Sequence, residues 1–406
     1  MRRLFIVEPG GYFRGDGVPR LRHGIGHWVE AIERFASWWS GPAHLIGNEA
    51  PEALAGIDAF HRVPTILRDA DRPMRLRVLS RAVRAIDPLL ACPIGARLLR
   101  ADWERAESRE LIGLLERELA APPETTIFVP TAIAITAESL IRNASRLTSA
   151  AGGSTLRLRI RFSSQGHERR AMDPRYFALQ MRRWSERAAG IDLRFGVEVE
   201  SMAHRYAQIS GLPVAWVPWP GEVTACRPSP TRAAGAPPKF FLYSLRSEQG
   251  SLMAPEIAAS ISIAFSGNVE ITTQVTSRTE RDHPEVLRKL VAMPTVQIAP
   301  GHLPPTDLHG LFADAAAIVL PYDRKRYRGR GSALMWAALD HGIPMIAPAG
   351  TGFGDDIARH GIGYSYRSEN EISALCRRAA EHADELKAAI AAYQVHRAAA
   401  IGAYFA

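Results

Sequence analysis

Residues 318–348, IVLPYDRKRYRGRGSALMWAALDHGIPMIAP, hold a complete strand–loop–helix–strand unit. Ile318-Val319-Leu320 is a short apolar run with no alternation, the pattern of a strand buried on both faces of a parallel sheet. Pro321 ends it, and a basic, glycine-containing loop follows through Tyr327-Arg328-Gly329-Arg330-Gly331-Ser332. Ser332 is placed as the N-cap of a helix over Ala333–His341, and Gly342-Ile343-Pro344 stops that helix before a second apolar strand at Met345.

The same rhythm extends in both directions. Downstream, Gly350-Thr351-Gly352 opens another helix, and Glu369 to the end reads as helical. Upstream, strands fit Phe240–Ser244, Val269–Thr276 and Val296–Ala299, with helices over Pro255–Ala264, Pro284–Met293 and Thr306–Ala313. The N-terminal half repeats it, with strands at Leu4–Val7, His44–Gly47, Ala59–Val63 and Thr126–Pro130 and a helix over Gly26–Trp39. Alternating strands and helices predict an α/β fold of two Rossmann-like domains with mostly parallel sheets. The chain has 406 residues, more than one hydrophobic core usually holds. Six prolines between Pro218 and Pro238 mark a linker. The expected domains are 1–217, the linker 218–238, and 239–406.

Composition excludes several classes. No apolar run reaches the roughly 20 residues of a membrane span, and the start, Met1-Arg2-Arg3-Leu4-Phe5-Ile6-Val7-Glu8, reads as a first strand rather than a leader. Three scattered cysteines give no disulfide framework and no metal spacing, so a cytoplasmic location is expected. The net charge is +8, and residues 142–187 carry 11 arginines against three acids, the same surplus of 8. Within that stretch Leu156-Arg157-Leu158-Arg159-Ile160-Arg161-Phe162 alternates strictly. It predicts a half-exposed strand, at a sheet edge or facing a cleft, whose Arg157, Arg159 and Arg161 form either a solvated face or a patch for an anionic acceptor or the inner membrane face. No nucleic-acid motif accompanies the arginines, so nucleic acid is not an expected partner.

Taken in order, Leu245-Arg246-Ser247-Glu248-Gln249-Gly250, Gly301-His302-Leu303, the Ile318–Tyr322 strand, Tyr327–Ser332, Asp340-His341-Gly342-Ile343-Pro344 and Gly350-Thr351-Gly352 resemble the donor domain of family-4 glycosyltransferases. Val217-Pro218-Trp219-Pro220-Gly221-Glu222-Val223 resembles that family's interdomain segment. The resemblance covers about Val214 to Tyr366. It implies a GT-B fold, a nucleotide-sugar donor as substrate, a glycan, lipid-linked or other hydroxyl acceptor, and retention at the anomeric carbon. The sequence departs from the family at one point: its two glutamates eight residues apart fall here on Gly329 and Ala337. That departure implies an altered donor, a different site layout with Asp323 or Asp340 as substitute, or an inactive relative.

A departing diphosphate requires cations and N–H donors or a metal. Asp69-Ala70-Asp71 has a metal-pair spacing but stands in a polar loop of the other half, so no metal and no cofactor is expected. The expected donor and phosphate-binding residues are Gly10 and Gly11 on the loop after the first strand, Arg246 and Gln249 on the loop after Phe240–Ser244, and Arg328, Arg330, Gly331 and Ser332. For the acceptor side His167, in Ser163-Ser164-Gln165-Gly166-His167-Glu168, is the candidate catalytic group, against a plain surface histidine. Two rivals share the architecture: a nucleotide-sugar epimerase, and a non-catalytic relative that binds a nucleotide or partner.

Overall fold

The computed structural model describes residues 2–7, 32–47, 55–63, 109–120, 124–130, 134–162, 174–188, 190–221, 235–244, 249–301, 310–311, 314–329 and 331–406. They form two compact units: residues 1–219 with Ala400–Ala406, and Pro220–Ala399. The expected second domain ran through residue 406, but the last seven residues group with the first unit. The helix Ala383–Phe405 is continuous across that division.

The first unit is built on a seven-stranded, all-parallel sheet of order β3-β2-β1-β4-β5-β6-β7. Its strands are β1 (Arg3–Val7), β2 (Ala43–Gly47), β3 (Ala59–Arg62), β4 (Thr125–Val129), β5 (Leu156–Phe162), β6 (Asp192–Val197) and β7 (Val214–Trp216). Leu4, Phe5, Ile6 and Val7 have no exposed surface, as an unbroken apolar run in a central parallel strand requires. One core cluster joins Leu4, Ile6, Ile32, Phe35, Leu45 and Phe128 to Ile401, Tyr404 and Phe405 from the chain end.

The alternating arginine strand corrects the sequence expectation. β5 is an interior strand, paired with β4 on one side and β6 on the other. Arg159 and Arg161 are completely buried, and the Arg157 side chain is 13 % exposed. They form no anionic-acceptor or membrane surface. Each charge instead meets an internal partner. Arg157 pairs with Glu124 and, at 3.6 Å, with Asp192. Arg159 donates to the Asp192 carboxylate at 2.8 Å, to the Asp192 carbonyl at 2.7 Å and to the Tyr404 carbonyl at 2.9 Å. Arg161 donates to the carbonyls of Val217 (2.6 Å) and Pro130 (2.9 Å). Burial lowers the Arg159 pKa, opposed by Asp192; burial works to raise that of Asp192, but the Arg159 bond and charge hold it below the usual carboxylate value.

Arg161→Leu leaves two buried carbonyls without a donor. Each orphaned acceptor costs about 1–3 kcal/mol, so the first unit should lose about 2–6 kcal/mol, read as a lower urea midpoint at unchanged slope. An unchanged midpoint would remove the arginine from the core's supports.

The second unit carries a six-stranded parallel sheet of order β10-β9-β8-β11-β12-β13. Its strands are β8 (Lys239–Leu242), β9 (Glu270–Val275), β10 (Val296–Pro300), β11 (Ala317–Val319), β12 (Met345–Pro348) and β13 (Gly363–Tyr366). Strand order reverses between β8 and β11, which makes their carboxyl ends the topological switch point of a doubly wound sheet. Helices Ala254–Ala264, Pro284–Val291 and Ile372–Glu381 cover one core, centred on Phe240, Leu242, Ile271, Val319 and Ile346. Among the described residues no helix is long and apolar enough to cross a membrane.

Candidate functional site at the switch point of the second sheet

Ligands of doubly wound sheets bind past the carboxyl ends of the strands, at the point where the order reverses. Here two chain segments meet there. β8 leads through Tyr243 and Ser244 towards Gln249 and Gly250, and β11 leads into Leu320-Pro321-Tyr322. Gly250 stands at φ +83° with no room for a Cβ, because the main-chain carbonyl of Pro321 lies directly against it. Only glycine meets both conditions.

The close approach sets the Gln249 amide 3.4 Å from the Tyr322 hydroxyl, to which it donates. Tyr322 is buried, with Tyr327 at 4.5 Å and Phe353 at 5.5 Å between ring centroids. Burial first, then the neighbouring Tyr243 and Tyr327, push its pKa well above the ordinary tyrosine value, while hydrogen bonds to Ser332 and Gln249 oppose the rise. The hydroxyl is therefore a neutral hydrogen-bonding group. The Gln249 Oε1 is buried and has no partner among the described residues.

Ser332 takes the N-cap position of the helix Ala333–Asp340, as the sequence predicts, in extended conformation (φ −133°, ψ 124°). Its side chain makes no capping bond; it bonds Tyr322 instead. The first-turn N–H groups thus lack the side-chain acceptor that an N-cap serine ordinarily supplies. A neighbouring helix, Gly352–His360, is conventionally capped: the fully buried Thr351 hydroxyl accepts from the Gly354 N–H at 3.0 Å. The helix Ala333–Asp340 thus lacks the side-chain cap that Thr351 gives its neighbour.

Of the residues expected at a donor site, Gln249, Gly331 and Ser332 lie on the two loops that meet at Tyr322. Arg328 is exposed, just past the short helix Arg324–Tyr327. Gly10, Gly11, Arg246, Arg330 and the acceptor-side His167 lie outside the described residues, as does Asp69-Ala70-Asp71. Arg157, Arg159 and Arg161 belong to the core of the first unit. Both aspartates proposed as substitutes for the missing glutamates have partners of their own. Asp323 caps Arg324–Tyr327 through the Arg326 N–H at 2.8 Å, and Asp340 is paired with Arg397 at 2.8 Å. Tyr322, where these loops meet, is not among the expected residues; a polar-tipped aromatic just past the end of a buried parallel strand is the signal that marks it.

No protein-family model and no curated protein matches the chain. Solved structures do. A lipopolysaccharide outer core galactosyltransferase, WaaB, in its apo form superposes with a TM-score of 0.54 at 12% identity, covering 98% of this chain and 99% of its own. An alpha,alpha-trehalose 6-phosphate synthase from Burkholderia multivorans gives 0.52 at 11% identity, over 100% and 93%. The glycotransferase of kitacinnamycin gives 0.51 at 13%, over 99% and 97%. The chain has a GT-B fold. The expected class, α/β with two Rossmann-like parallel sheets, is therefore what the molecule adopts, and the switch point at β8 and β11 lies in the second sheet of this GT-B architecture.

Proposed function

We propose that the chain is a glycosyltransferase that binds a nucleotide-sugar donor at the switch point of the second sheet and transfers its sugar to an acceptor hydroxyl. The observation that carries the reading is the meeting of Gln249 and Ser332 on Tyr322, which leaves the helix Ala333–Asp340 with an uncapped N-terminus. The diphosphate of a donor is what such a terminus attracts. Its N–H groups, with Gly331 allowing close approach and Arg328 and Arg330 adding charge, stabilise the leaving diphosphate without a metal ion in this reading. Transfer with retention follows only from the likeness to family-4 enzymes. In this reading Gly10 and Gly11 would also contact the diphosphate and His167 would serve the acceptor.

The absence of carboxylates at Gly329 and Ala337 favours a second reading, a nucleotide-binding relative without transfer. Both readings predict diphosphate binding; sugar transfer to an added acceptor separates them. A nucleoside-diphosphate panel titrated calorimetrically with EDTA present tests the shared part. Ser332→Ala frees the Tyr322 hydroxyl and Arg330→Ala removes one charge-assisted contact, which should weaken binding about ten- to a hundredfold. Wild-type affinity in both folded variants would move the phosphate elsewhere. Binding abolished by EDTA alone would overturn the metal-free arrangement.

A further inference from the structure

The first unit contains a second cluster with chemistry of its own. His44 is the second residue of β2, His61 the third of the edge strand β3, and Glu118 belongs to the helix 109–119 that precedes β4. The parallel register sets His44 beside Ala59 and Ile46 beside His61, so the two histidines are diagonal neighbours on adjacent strands. Their rings stack 5.2 Å apart at 11°, with His44 Nδ1 3.0 Å from His61 Nε2. Glu118 Oε1 lies 3.9 Å from His61 Nδ1, the other ring nitrogen, and its Oε2 is 3.9 Å from Arg3. All three side chains are half-buried, and one ligand atom from each lies within 4.8 Å of the other two.

We propose that His44, His61 and Glu118 bind a single divalent transition-metal ion of the zinc class. Two imidazoles and a carboxylate are a ligand set that zinc accepts, with water completing a tetrahedron. Tetrahedral ligand atoms about 2.0–2.2 Å from an ion stand roughly 3.3 Å apart. The three ligand atoms, all within 4.8 Å of one another, need to close by at most about 1.5 Å to reach that spacing. Arg3 anchors Glu118 through its main chain, donating to the Glu118 carbonyl at 2.8 Å, and its guanidinium stands 3.9 Å from the far carboxylate oxygen. Phe5 packs edge-on against His44 at 5.0 Å and limits its ring orientation.

The position gives the ion a structural role. His44 and Glu118 lie towards the start of β2 and the approach to β4, whereas substrates of such sheets bind past the strand ends. An ion there ties the edge strand and the helix to the sheet, and its binding energy becomes folding energy. The proposal is independent of the donor-site reading, which invokes no metal.

Cobalt(II), whose visible absorption reports tetrahedral nitrogen and oxygen coordination, is the probe, added to the full chain after removal of bound metals. Wild type should take up one cobalt with the intense visible bands of a four-coordinate site, and zinc should displace it. Zinc should also raise the thermal midpoint of wild type. His44→Gln with His61→Gln should abolish the bands and the zinc response. Glu118→Gln, which preserves size and hydrogen bonding, should weaken cobalt binding at least about tenfold. Absence of four-coordinate bands in wild type at about 100 μM cobalt, an affinity near 5–6 kcal/mol, would overturn the proposal. So would wild-type binding by Glu118→Gln, whether or not the double variant folds.

Discussion

Removing Ala400–Ala406 should cost the first unit most of its stability. Three large side chains leave the core with it: Ile401 is 0% exposed, Tyr404 1% and Phe405 8%. At about 1.5–3 kcal/mol for each buried side chain, their loss amounts to roughly 5–9 kcal/mol, against a total of about 5–15 kcal/mol for a typical domain. Phe405 makes edge contacts with Phe128, Phe35 and Trp39 at 4.9, 6.3 and 6.2 Å, so the void would open beside β4 and the helix of residues 32–37. The truncation also takes away a carbonyl. The last C=O groups of a helix have no internal acceptor-filling donor and form the negative end of its dipole. Arg159 supplies that donor at Tyr404, and without the chain end its buried guanidinium loses one of its three partners. A calorimetric scan of the truncated chain should show one transition lowered by on the order of 15 °C or more. Tyr404→Ala with Phe405→Ala, which keeps the helix at full length, should lower the same transition. If neither change moves a transition, the chain end does not belong to that core.

That role of the chain end shows what a sequence pattern does and does not carry. Runs such as Leu4–Val7, Phe240–Leu242 and Ala317–Val319 are apolar at every position, and a strand with helices on both faces permits nothing else. Their reading required no partner, and the two parallel sheets followed from it. The arginine strand required partners. Alternation says that Arg157, Arg159 and Arg161 share a face, and it is normally right to send such a face to solvent. Here that face is answered by Glu124, Asp192, and the carbonyls of Pro130, Val217 and Tyr404, the last of them 245 residues from Arg159. No local window contains that compensation, so the charges read as surface. The candidate site divides in the same way. Ser332 was legible as an N-cap because that preference is local. The diversion of its hydroxyl to Tyr322 was not, since it depends on where β11 ends relative to β8. His44 and His61 carry no sequence spacing that marks a metal pair, and only the parallel register sets them side by side.

Arg397→Leu should be the most damaging single substitution in the second unit. The arginine is 1% exposed and donates to Asp340 at 2.8 Å and to Gln394 at 3.2 Å. Its guanidinium also stands 5.0 Å from the Trp336 ring. Gly221, whose Cβ would fall 3.1 Å from that guanidinium and 3.2 Å from Asp340, lets the backbone pass close by. Asp340 is the last residue of the helix Ala333–Asp340, whose other end is the proposed diphosphate contact. Leucine in place of the arginine removes the charge partner of the Asp340 carboxylate, which is 6% exposed. Breaking one side of a buried pair costs about 3–5 kcal/mol, because the remaining charge keeps its desolvation penalty and loses its compensation. Removing both charges is a different matter: an apolar pair of similar volume is often neutral or better. Asp340→Leu with Arg397→Leu should therefore recover a large part of what Arg397→Leu loses, and the coupling energy of the cycle should exceed about 1 kcal/mol, beyond what distant sites show. Urea melts of the four proteins supply the numbers. Additive losses would mean that the two side chains are not a pair. A recovered double variant that binds nucleoside diphosphates like wild type would show that the ion pair supports the helix without contributing to the phosphate contact at its far end.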